Sequence, residues 1–510
     1  MRTPYHGTRE PLDLRSNVIF FHDWRYIHHG DTRWETDEGK TLGLWSATPI
    51  PPLRWAGRDI PKGICLKTIP AQKSEPIIIP DSPWEGAIFA PTVMKVGSVY
   101  RMWYEAVPPE DLASTRAGER NLLCYAESED GVHWKKPSIG LVSRPGWDRN
   151  NIVYGGPLAP EWGYHGGSVF LDPSCAAEER YKIIHLGFLS REAFEDFKRE
   201  APDQVDPMSE RSNRPSAVFG AVSPDGIHWS PLPKPLVLQT SDTQNIAYYD
   251  EFLGKYVAYF RTWVIGRRSI GRAESTDFRR FPLPETVIWP GHSVGPSDLW
   301  YANGRTAYPG APDYHLMFAK RWRVSEDRFY VHLWTSPDGI LWGKNEDSQV
   351  LGPGEPGGWD AGGTSVGCGM VELPGGRVAV PFVGFRVPHK YTRTVPLGQI
   401  AWASWQKGRL VALVAREEGE FRTMYLDFAG DELHLNVRTA QVGEVRVEVV
   451  QTGGKPLDGR AMQDCDPLVG DSLDQVVTWR GDPKVRREPG QPVAFRIRMR
   501  WAELYGMAFR

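Results

Sequence analysis

A seven-residue phrase, Ser-x-Asp-Gly-x-x-Trp, recurs along this chain and constrains its fold more than any other feature. Complete copies stand at Ser128–Trp134, Ser223–Trp229 and Ser336–Trp342, and a degenerate copy stands at Ser275–Phe281. Asp-Gly is a strong signal for a tight turn, because glycine accepts a positive φ and aspartate caps the neighbouring backbone. The tryptophan that follows is placed to begin the next strand and cover the hinge between neighbouring units. Recurrence at such spacing indicates one structural unit used several times.

Strand-like runs precede each copy of the phrase in a similar order. The runs fall at residues 87–104 and 122–126, 167–185 and 217–221, 245–260 and 269–273, 299–318 and 330–334, and 362–383 and 399–403. The last of these five groups lacks the phrase. Five units of three or four strands predict an all-β fold with a five-bladed β-propeller over residues 81–412, because radial repetition leaves only short, protected strand edges. An open β-sandwich is the alternative to this architecture.

The pattern changes beyond the repeats. Apolar and polar residues alternate in three stretches, at 433–437, 444–450 and 492–499. Such alternation is typical of half-buried antiparallel strands, and about 95 residues suffice for a small β-sandwich. The sequence therefore predicts a propeller followed by a C-terminal β-sandwich over residues 413–510.

Two other segments stand apart from the repeats. Residues 1–80 hold few clean strands and many prolines, so we expect an N-terminal segment that wraps the propeller or closes its ring. Ser190–Pro215 is rich in charged residues and predicts a helical excursion from the second unit. One interpretation of this excursion is a solvated loop, and the other is a lid or a dimer contact. A homo-oligomer is therefore left open.

Charge and composition narrow the choice of partners. The 510 residues carry 60 Lys and Arg against 63 Asp and Glu, a formal net charge of −3. This balance gives no electrostatic reason to expect a nucleic-acid or anionic-membrane partner, and no run approaches the roughly 18 apolar residues of a membrane span. The first residues lack the apolar core of a secretory signal, and five scattered cysteines fit a reducing compartment. We therefore expect a cytoplasmic protein.

Acidic residues stand just before the inner strand of four predicted blades, where a propeller brings residues to one mouth of its axial channel. They are Glu85, Asp242, Asp298 and Asp360, and His165 stands at the corresponding place in the second unit. Four carboxylates there would form an acidic funnel. Aspartate before a strand also caps backbone amides, so structural capping is the competing interpretation for each. Glu105 ends an apolar second strand and is a further candidate, either catalytic or paired with an arginine.

Such a funnel suits glycoside hydrolysis, in which one acid protonates the leaving oxygen and a second carboxylate activates water or attacks the sugar. Crowding like charges separates their pKa values. Aromatic faces for a sugar are offered by Trp84, Trp300 and Trp359, and cations for hydroxyls or a charged substituent by Arg261 and Lys320. Ca²⁺ prefers oxygen ligands, but no segment has the spacing of a Ca²⁺ loop. We expect neither a metal nor another cofactor.

The stretch Trp84–Trp134 carries W-E-x-x-x-F-x-P-T-V, Y-R-M-W-Y and Y-A-E-S-x-D-G-x-x-W. It resembles the five-bladed propeller glycoside hydrolases of families 32, 43 and 68, the clan of β-fructosidases, α-arabinofuranosidases and β-xylosidases. The resemblance implies a propeller followed by a β-sandwich, the layout of invertases and levanases, and three carboxylates at the channel mouth. The family 32 signature Trp-x-Asn-Asp-Pro-Asn-Gly is absent, and so are its Arg-Asp-Pro and Glu-Cys sequences. The chain therefore resembles a divergent relative that acts on another glycan.

The leading prediction is an exo-acting glycoside hydrolase for a glycan or oligosaccharide, with furanoside-type sugars included. Asp242 and Asp298 are expected to supply the orienting residue and the base or nucleophile, and Glu85 the acid. A non-catalytic carbohydrate-binding propeller would use the same funnel without cleaving its ligand. A sialidase-like hydrolase is the third hypothesis, and the three-arginine clamp of that class has no evident counterpart in this sequence.

Overall fold

The structure of this chain is a computed structural model that describes residues 10–36, 41–42, 53–112, 120–160, 162–391 and 396–510. It divides into two compact units. Residues 70–344 and 348–405 form one, which we call the propeller unit; residues 1–69, 345–347 and 406–510 form the other, the terminal unit. The sequence had suggested boundaries at 80 and 412. The structure instead groups the first 69 residues with the C-terminal ones.

The propeller unit consists of five antiparallel sheets, one for each predicted unit. From the first strand outward, blade one contains Ala87–Val96, Val99–Val107, Leu122–Ser128 and Ile152–Gly155; blade two His165–Leu171, Tyr181–Phe188, Ser216–Ser223 and Ser230–Pro231; blade three Ile246–Asp250, Lys255–Val264, Arg267–Ser275 and Glu285–Ile288. Blade four contains Asp298–Ala302, Arg305–Tyr308, Ala311–Arg323, Arg328–Ser336 and Gln349–Leu351. Contacts between consecutive blades run around a ring that returns from blade five to blade one. The predicted five-bladed β-propeller is confirmed.

Blade five shows how the ring is closed. It contains Gly363–Val366, Val371–Leu373, Arg377–Phe385, Gln399–Gln406 and, from far earlier in the chain, Gln72–Lys73. Ala403 pairs with Lys73 and Ser404 with Gln72. An early piece of chain thus completes the last blade, and hydrogen bonds rather than a covalent link close the circle.

The repeated phrase forms the same tight turn in its three complete copies. In the first, Ser128 Oγ accepts from the backbone N–H of Gly131 at 2.9 Å, and Asp130 Oδ1 accepts from Val132 and His133, each at 2.8 Å. The glycines of the three turns have φ values of 75°, 81° and 71°. The serine and the aspartate therefore satisfy the turn backbone, and the glycine supplies the left-handed conformation.

These turns also join neighbouring blades. Each turn glycine accepts a hydrogen bond, through its carbonyl oxygen, from an aromatic side chain of the preceding blade in the ring. The pairs are Gly131 with Trp402, Gly226 with Trp103 and Gly339 with Tyr259, each at 2.7 Å. We call this arrangement the interblade latch. The tryptophan of the phrase itself bonds to the same carbonyl in two copies, through Trp134 and Trp342.

The latch makes a stability prediction. A Cβ at Gly226 would lie 2.7 Å from Cζ2 of Trp103, whereas one at Gly97, which also has a positive φ, would meet nothing within 4 Å. We expect Gly97→Ala to lower the free energy of unfolding by about 1 kcal/mol through backbone strain alone. Gly226→Ala should cost about 1–3 kcal/mol more, because the collision adds to the strain. Urea denaturation of the two variants measures this difference, and equal losses would contradict the latch.

The predicted helical excursion is present in blade two. Ser190 caps the helix Arg191–Glu200 by accepting from Ala193 N–H, and the helix Pro207–Arg211 follows a 3₁₀ turn at Pro202–Gln204. Phe194 is fully buried against the blade, so the excursion is a packed helix and not a solvated loop. Further 3₁₀ turns lie at Pro109–Asp111, Gly156–Leu158 and Ala177–Glu179. In the parts of the chain that the structure describes, no helix has the length and apolar character of a membrane span.

The terminal unit is built on two long antiparallel strands, Leu433–Gln451 and Val493–Phe509. They belong to an eight-stranded sheet with Leu12–Asp13, Val18–Phe20, Cys65–Thr68, Val411–Arg422, Leu426–Asp427 and Asp471–Val476; Asp31–Thr36, Thr41–Leu42 and Leu53–Arg58 form a small second sheet. Bulges bend the long strands between Thr439 and Glu444, and their apolar positions are buried in one core. The predicted C-terminal β-sandwich is confirmed, and N-terminal strands complete it.

Candidate active site

All five blades contribute side chains to one cavity of about 320 Å³ in the propeller unit. Its lining includes Phe89 of blade one, His165 of blade two, Arg268 of blade three, Tyr301 of blade four and Phe385 of blade five. Residues from every blade meet only around the propeller axis. A concave, partly aromatic site at which polar groups converge is the usual form of a small-molecule site.

His165 lies between two carboxylates of this cavity and hydrogen-bonds to both. Its Nδ1 is 2.7 Å from Glu105 Oε1, and its Nε2 is 3.0 Å from Asp242 Oδ1. Only the imidazolium form donates from both nitrogens at once. The Glu105 side chain is fully buried, whereas that of Asp242 is 49% exposed. Asp242 is therefore the carboxylate of the pair that is open to a ligand.

The charges of His165 and Asp242 each favour the ionised form of the other group. Burial by itself lowers the pKa of His165, but the Glu105 carboxylate and the hydrogen bonds to Asp242 and Glu105 outweigh it and raise that pKa from 6.5 to about 10. Burial by itself raises the pKa of Asp242, but the hydrogen bond and charge of His165, together with Arg261, hold that pKa well below its ordinary value. At neutral pH His165 is cationic and Asp242 is anionic.

The backbone of blade two fixes this arrangement. Gly166 N–H donates to Glu105 Oε2 at 2.7 Å, and the Asn121 amide donates to Oε1. Gly166 has a φ of 57°, and a Cβ there would lie 2.1 Å from the carbonyl oxygen of Thr243. Only glycine fits at this position. The buried Glu105 carboxylate is thus held by three donors and has little freedom to move.

Arg261 and Arg268 lie close to Asp242, and Lys320 lines the same cavity. Arg261 Nη1 lies 3.2 Å from Asp242 Oδ2 and 3.0 Å from its carbonyl oxygen. The Arg268 guanidinium lies 4.1 Å from the centre of the Tyr301 ring, and Lys320 Nζ lies 4.3 Å from the same centre. Both distances are typical of cation–π contacts. The aromatic surface of the cavity therefore carries positive charge beside the acid.

A third carboxylate of the cavity, Asp111, escaped the sequence analysis. It ends the 3₁₀ turn Pro109–Asp111, its side chain is 12% exposed, and its ion-pair partner Arg120 is 3.6 Å away. Burial raises the pKa of Asp111 above its ordinary value, Arg120 opposes that shift and the neighbouring Glu110 adds to it. The only sequence signal was its place shortly after the strand that carries Glu105. No motif marks it.

The structure brings together five of the residues that the sequence singled out. Glu105, His165, Asp242 and Lys320 line the cavity, and Arg261 supports Asp242. Sequence reasoning missed the polar lining residues Asp111, Asn121 and Arg268, and also Tyr301. Their roles in a reaction remain proposals.

Glu85 does not line this cavity. Its buried carboxylate accepts from Tyr104 Oη at 2.7 Å and pairs with Lys136 Nζ at 2.7 Å. Backbone N–H groups of Asp81 and Ser82 also donate to it. Glu85 thus caps the chain entering blade one, which corrects its placement in the funnel.

Asp298 and Asp360 are likewise absent from the cavity lining. Arg321 donates two hydrogen bonds of 2.7 Å to the Asp298 carboxylate. Asp360 pairs with Lys73, which comes from the outermost strand of blade five. Each carboxylate is neutralised by a cation in its own blade. The predicted funnel of four carboxylates is therefore corrected: of its members, the cavity contains Asp242.

The three predicted sugar-stacking tryptophans also lie elsewhere. Trp84 is buried and donates to Asn151 Oδ1 at 3.2 Å. Trp300 is buried against Trp334 at 5.2 Å between ring centres, and Trp359 packs on Phe382 at 5.6 Å. The aromatic faces of the cavity come instead from smaller rings, Phe89, Tyr301, Phe329 and Phe385.

Across the described ranges, no group of three or more His, Cys, Asp and Glu side chains has the geometry to hold a metal ion. In the cavity, the protonated His165 occupies the space between Glu105 and Asp242. The imidazolium cation of His165 therefore lies between the two facing carboxylates.

No protein-family model and no curated protein matches the sequence. Among solved structures, the chain is similar to the GH32 β-fructofuranosidase of Bombyx mori, with 9% identity, 86% of this chain and 93% of that chain covered, and a TM-score of 0.40. It is also similar to an α-L-arabinofuranosidase of Podospora anserina (11% identity, 67% and 98% covered, TM-score 0.42) and to an N-acetylgalactosamine deacetylase of F. plautii (15% identity, 68% and 97% covered, TM-score 0.42).

Proposed function

We propose that this protein is a glycoside hydrolase whose reaction takes place in the axial cavity. One observation carries the proposal: two aspartates lining the same cavity have pKa values displaced in opposite directions, Asp242 downward and Asp111 upward. Glycoside hydrolysis needs one ionised carboxylate and one protonated carboxylic acid around the scissile bond. Opposite displacement of two pKa values is how such a pair is recognised.

In this proposal Asp242 is the base or nucleophile, because it is ionised and half exposed. Asp111 is the general acid, because burial favours its protonated form. Glu105 and His165 act through Asp242: the buried carboxylate holds the imidazolium, and the imidazolium holds and orients the reacting carboxylate. Phe89 and Tyr301 offer apolar faces to the sugar ring.

The size of the cavity supports an exo mode of action. At about 320 Å³ it lies at the lower end of the roughly 300–1,000 Å³ that small-molecule sites span. A space of this size suits the terminal sugar of a chain better than an internal stretch of several sugars.

The direct test is release of nitrophenol from a panel of nitrophenyl furanosides and pyranosides by the purified chain, followed by release of reducing sugar from oligosaccharides. Cleavage of at least one glycoside, competitively inhibited by the free sugar, is the expected result. Sugar binding by calorimetry without any cleavage would overturn the hydrolase and leave a carbohydrate-binding propeller.

The acid role of Asp111 makes a separate prediction. Asp111→Asn should lower kcat/KM by about 10²–10⁴-fold on glycosides with poor leaving groups. On dinitrophenyl glycosides the loss should be far smaller, because that leaving group departs without a proton. The acid must be protonated, so the wild-type kcat/KM should fall as pH rises through the pKa of Asp111. This alkaline limb should vanish in the variant.

Glu110→Gln is the matched control for Asp111→Asn. Glu110 belongs to the same 3₁₀ turn, but its half-exposed side chain pairs with Arg144 at 2.7 Å and does not line the cavity. We expect this variant to stay within a few-fold of wild type on both classes of substrate. Equal losses for Asp111→Asn on good and poor leaving groups would remove Asp111 from the acid role.

A further inference from the structure

Among the described residues that line the axial cavity, basic side chains outnumber acidic ones. Its cationic lining residues are His165, Arg268, Lys320 and Lys390, and its carboxylates are Glu105, Asp111 and Asp242. His165 already engages Glu105 and Asp242, and Arg261 also draws on Asp242. A neutral sugar would not call for such an excess of basic side chains.

Arg268 has one buried guanidinium nitrogen that no described residue satisfies. Its closest carboxylate oxygen is Asp242 Oδ2 at 4.0 Å, and that oxygen already accepts from Arg261 at 3.2 Å. Arg268 Nη1 is buried and has no hydrogen-bond partner among the described residues, although the whole side chain is only 12% exposed. Leaving a buried guanidinium N–H group without an acceptor is costly unless a ligand completes it.

Lys320 lies on the same aromatic surface. Its Nζ is 4.3 Å from the ring centres of Tyr301 and of Phe329, and the residue is buried. Arg268 contacts Tyr301 at 4.1 Å. Two cations from neighbouring blades therefore share one ring in a cavity that also contains Asp242. The sequence analysis had assigned Arg261 and Lys320 to this task, but Arg261 pairs with Asp242.

We propose that Arg268 and Lys320 form an oxyanion site beside Asp242, so that the ligand of this cavity carries a negatively charged group. The shared chemistry is that of a sugar carboxylate, as in a uronic acid, and of a free inorganic oxyanion such as phosphate. A guanidinium pairs with either group through two parallel N–H···O bonds, and the ammonium adds a point charge. The choice of substrate rests on the proposed hydrolase, whereas the anion site itself is a binding property.

Binding is measured first, by isothermal titration calorimetry of the full chain. The ligands are glucuronate and galacturonate, the neutral glucose and galactose that match them, and inorganic phosphate. The proteins are wild type, Arg268→Met, Arg268→Lys and Lys320→Met, with Arg279→Met as the control. Arg279 is an exposed arginine that pairs with Glu179 and does not line the cavity. Methionine keeps an apolar stem for the Tyr301 ring while removing the charge.

We expect a uronate to bind wild type at least about 10-fold more tightly than its neutral counterpart, and Arg268→Met or Lys320→Met to lose about 10- to 100-fold in uronate affinity. Arg268→Lys should retain an intermediate affinity, and Arg279→Met should match wild type. Thermal unfolding of each variant shows that it is folded, and Arg268→Lys keeps the test open if Arg268→Met does not fold.

The outcomes separate the anion site from the hydrolase. Phosphate binding that is lost in Arg268→Met, without uronate binding, keeps the site and identifies a free oxyanion as its ligand. Equal affinity for uronate and neutral sugar, unchanged in both methionine variants, or no anion binding at all, overturns the site. Cleavage of neutral glycosides with no preference for uronides keeps the hydrolase and overturns the anion site. Uronate binding through Arg268 without cleavage of any glycoside keeps the anion site and overturns the hydrolase.

Discussion

Asp242→Asn is expected to lower kcat/KM by about 10⁴-fold or more on whichever glycoside the wild type cleaves, while the protein stays folded. The amide has nearly the shape of the carboxylate, and its oxygen still accepts from His165, so the surroundings change little. It has no negative charge with which to activate water or attack the sugar. The wild-type activity should persist to acidic pH, because the pKa of Asp242 is held well below its ordinary value.

Asp298→Asn is the informative companion. The sequence analysis placed Asp298 before the inner strand of its blade, as it did Asp242, but Asp298 is held by two hydrogen bonds from Arg321 and does not line the cavity. We expect this variant to lose stability and to retain kcat within a few-fold once folded. Steady-state kinetics of both variants beside their melting curves make the comparison. Loss of turnover in Asp298→Asn with retention in Asp242→Asn would refute the site.

His165→Leu should lower the free energy of unfolding by about 3–5 kcal/mol at neutral pH, since it leaves the fully buried Glu105 without its charge partner. Adding Glu105→Gln to this variant should restore part of the loss, because the uncompensated charge disappears. Guanidinium denaturation of the single and double variants measures both effects. A double variant no more stable than His165→Leu would show that lost packing, not charge, dominates.

The same residue gives a pH dependence with a definite sign. The pKa of His165 is raised from 6.5 to about 10 in the fold, so the folded protein binds the proton more tightly than the unfolded chain. Its stabilising contribution is fully present below pH 6.5 and is lost as pH rises towards 10. Wild-type stability should therefore fall between pH 7 and 10 through this group, and the fall should be shallower in His165→Leu.

The fold followed from the sequence because its signal is local and repeated. Serine, aspartate and glycine within four residues determine each turn, and those contacts can be anticipated from turn chemistry alone. The partners of the latch could not be anticipated. Trp402 reaches Gly131 and Trp103 reaches Gly226 across blade boundaries, and nothing near the turns in sequence specifies these pairs.

The site could be predicted from the sequence only in part, because its contacts also cross blade boundaries. Placement before an inner strand singled out His165 and Asp242, which line the cavity, but said nothing about the cation each acid would meet. Asp360 shows this best, because its partner Lys73 comes from the far end of the propeller sequence. A carboxylate that pairs with one cation of its own blade has a structural role. A carboxylate that several donors share at a cavity stays open to a ligand. That distinction depends on three-dimensional neighbours.

The composition of the terminal unit has a consequence for how this protein is made. Its strands Val18–Phe20 and Cys65–Thr68 pair with Val493–Phe509 and Val411–Arg422, which the ribosome produces only after the entire propeller. Chains usually fold from their N-terminus as they emerge. Here the first strands must wait with open edges, while the propeller can close as soon as Gln399–Gln406 reaches Gln72–Lys73. The propeller is therefore free to close before the terminal unit has all of its strands.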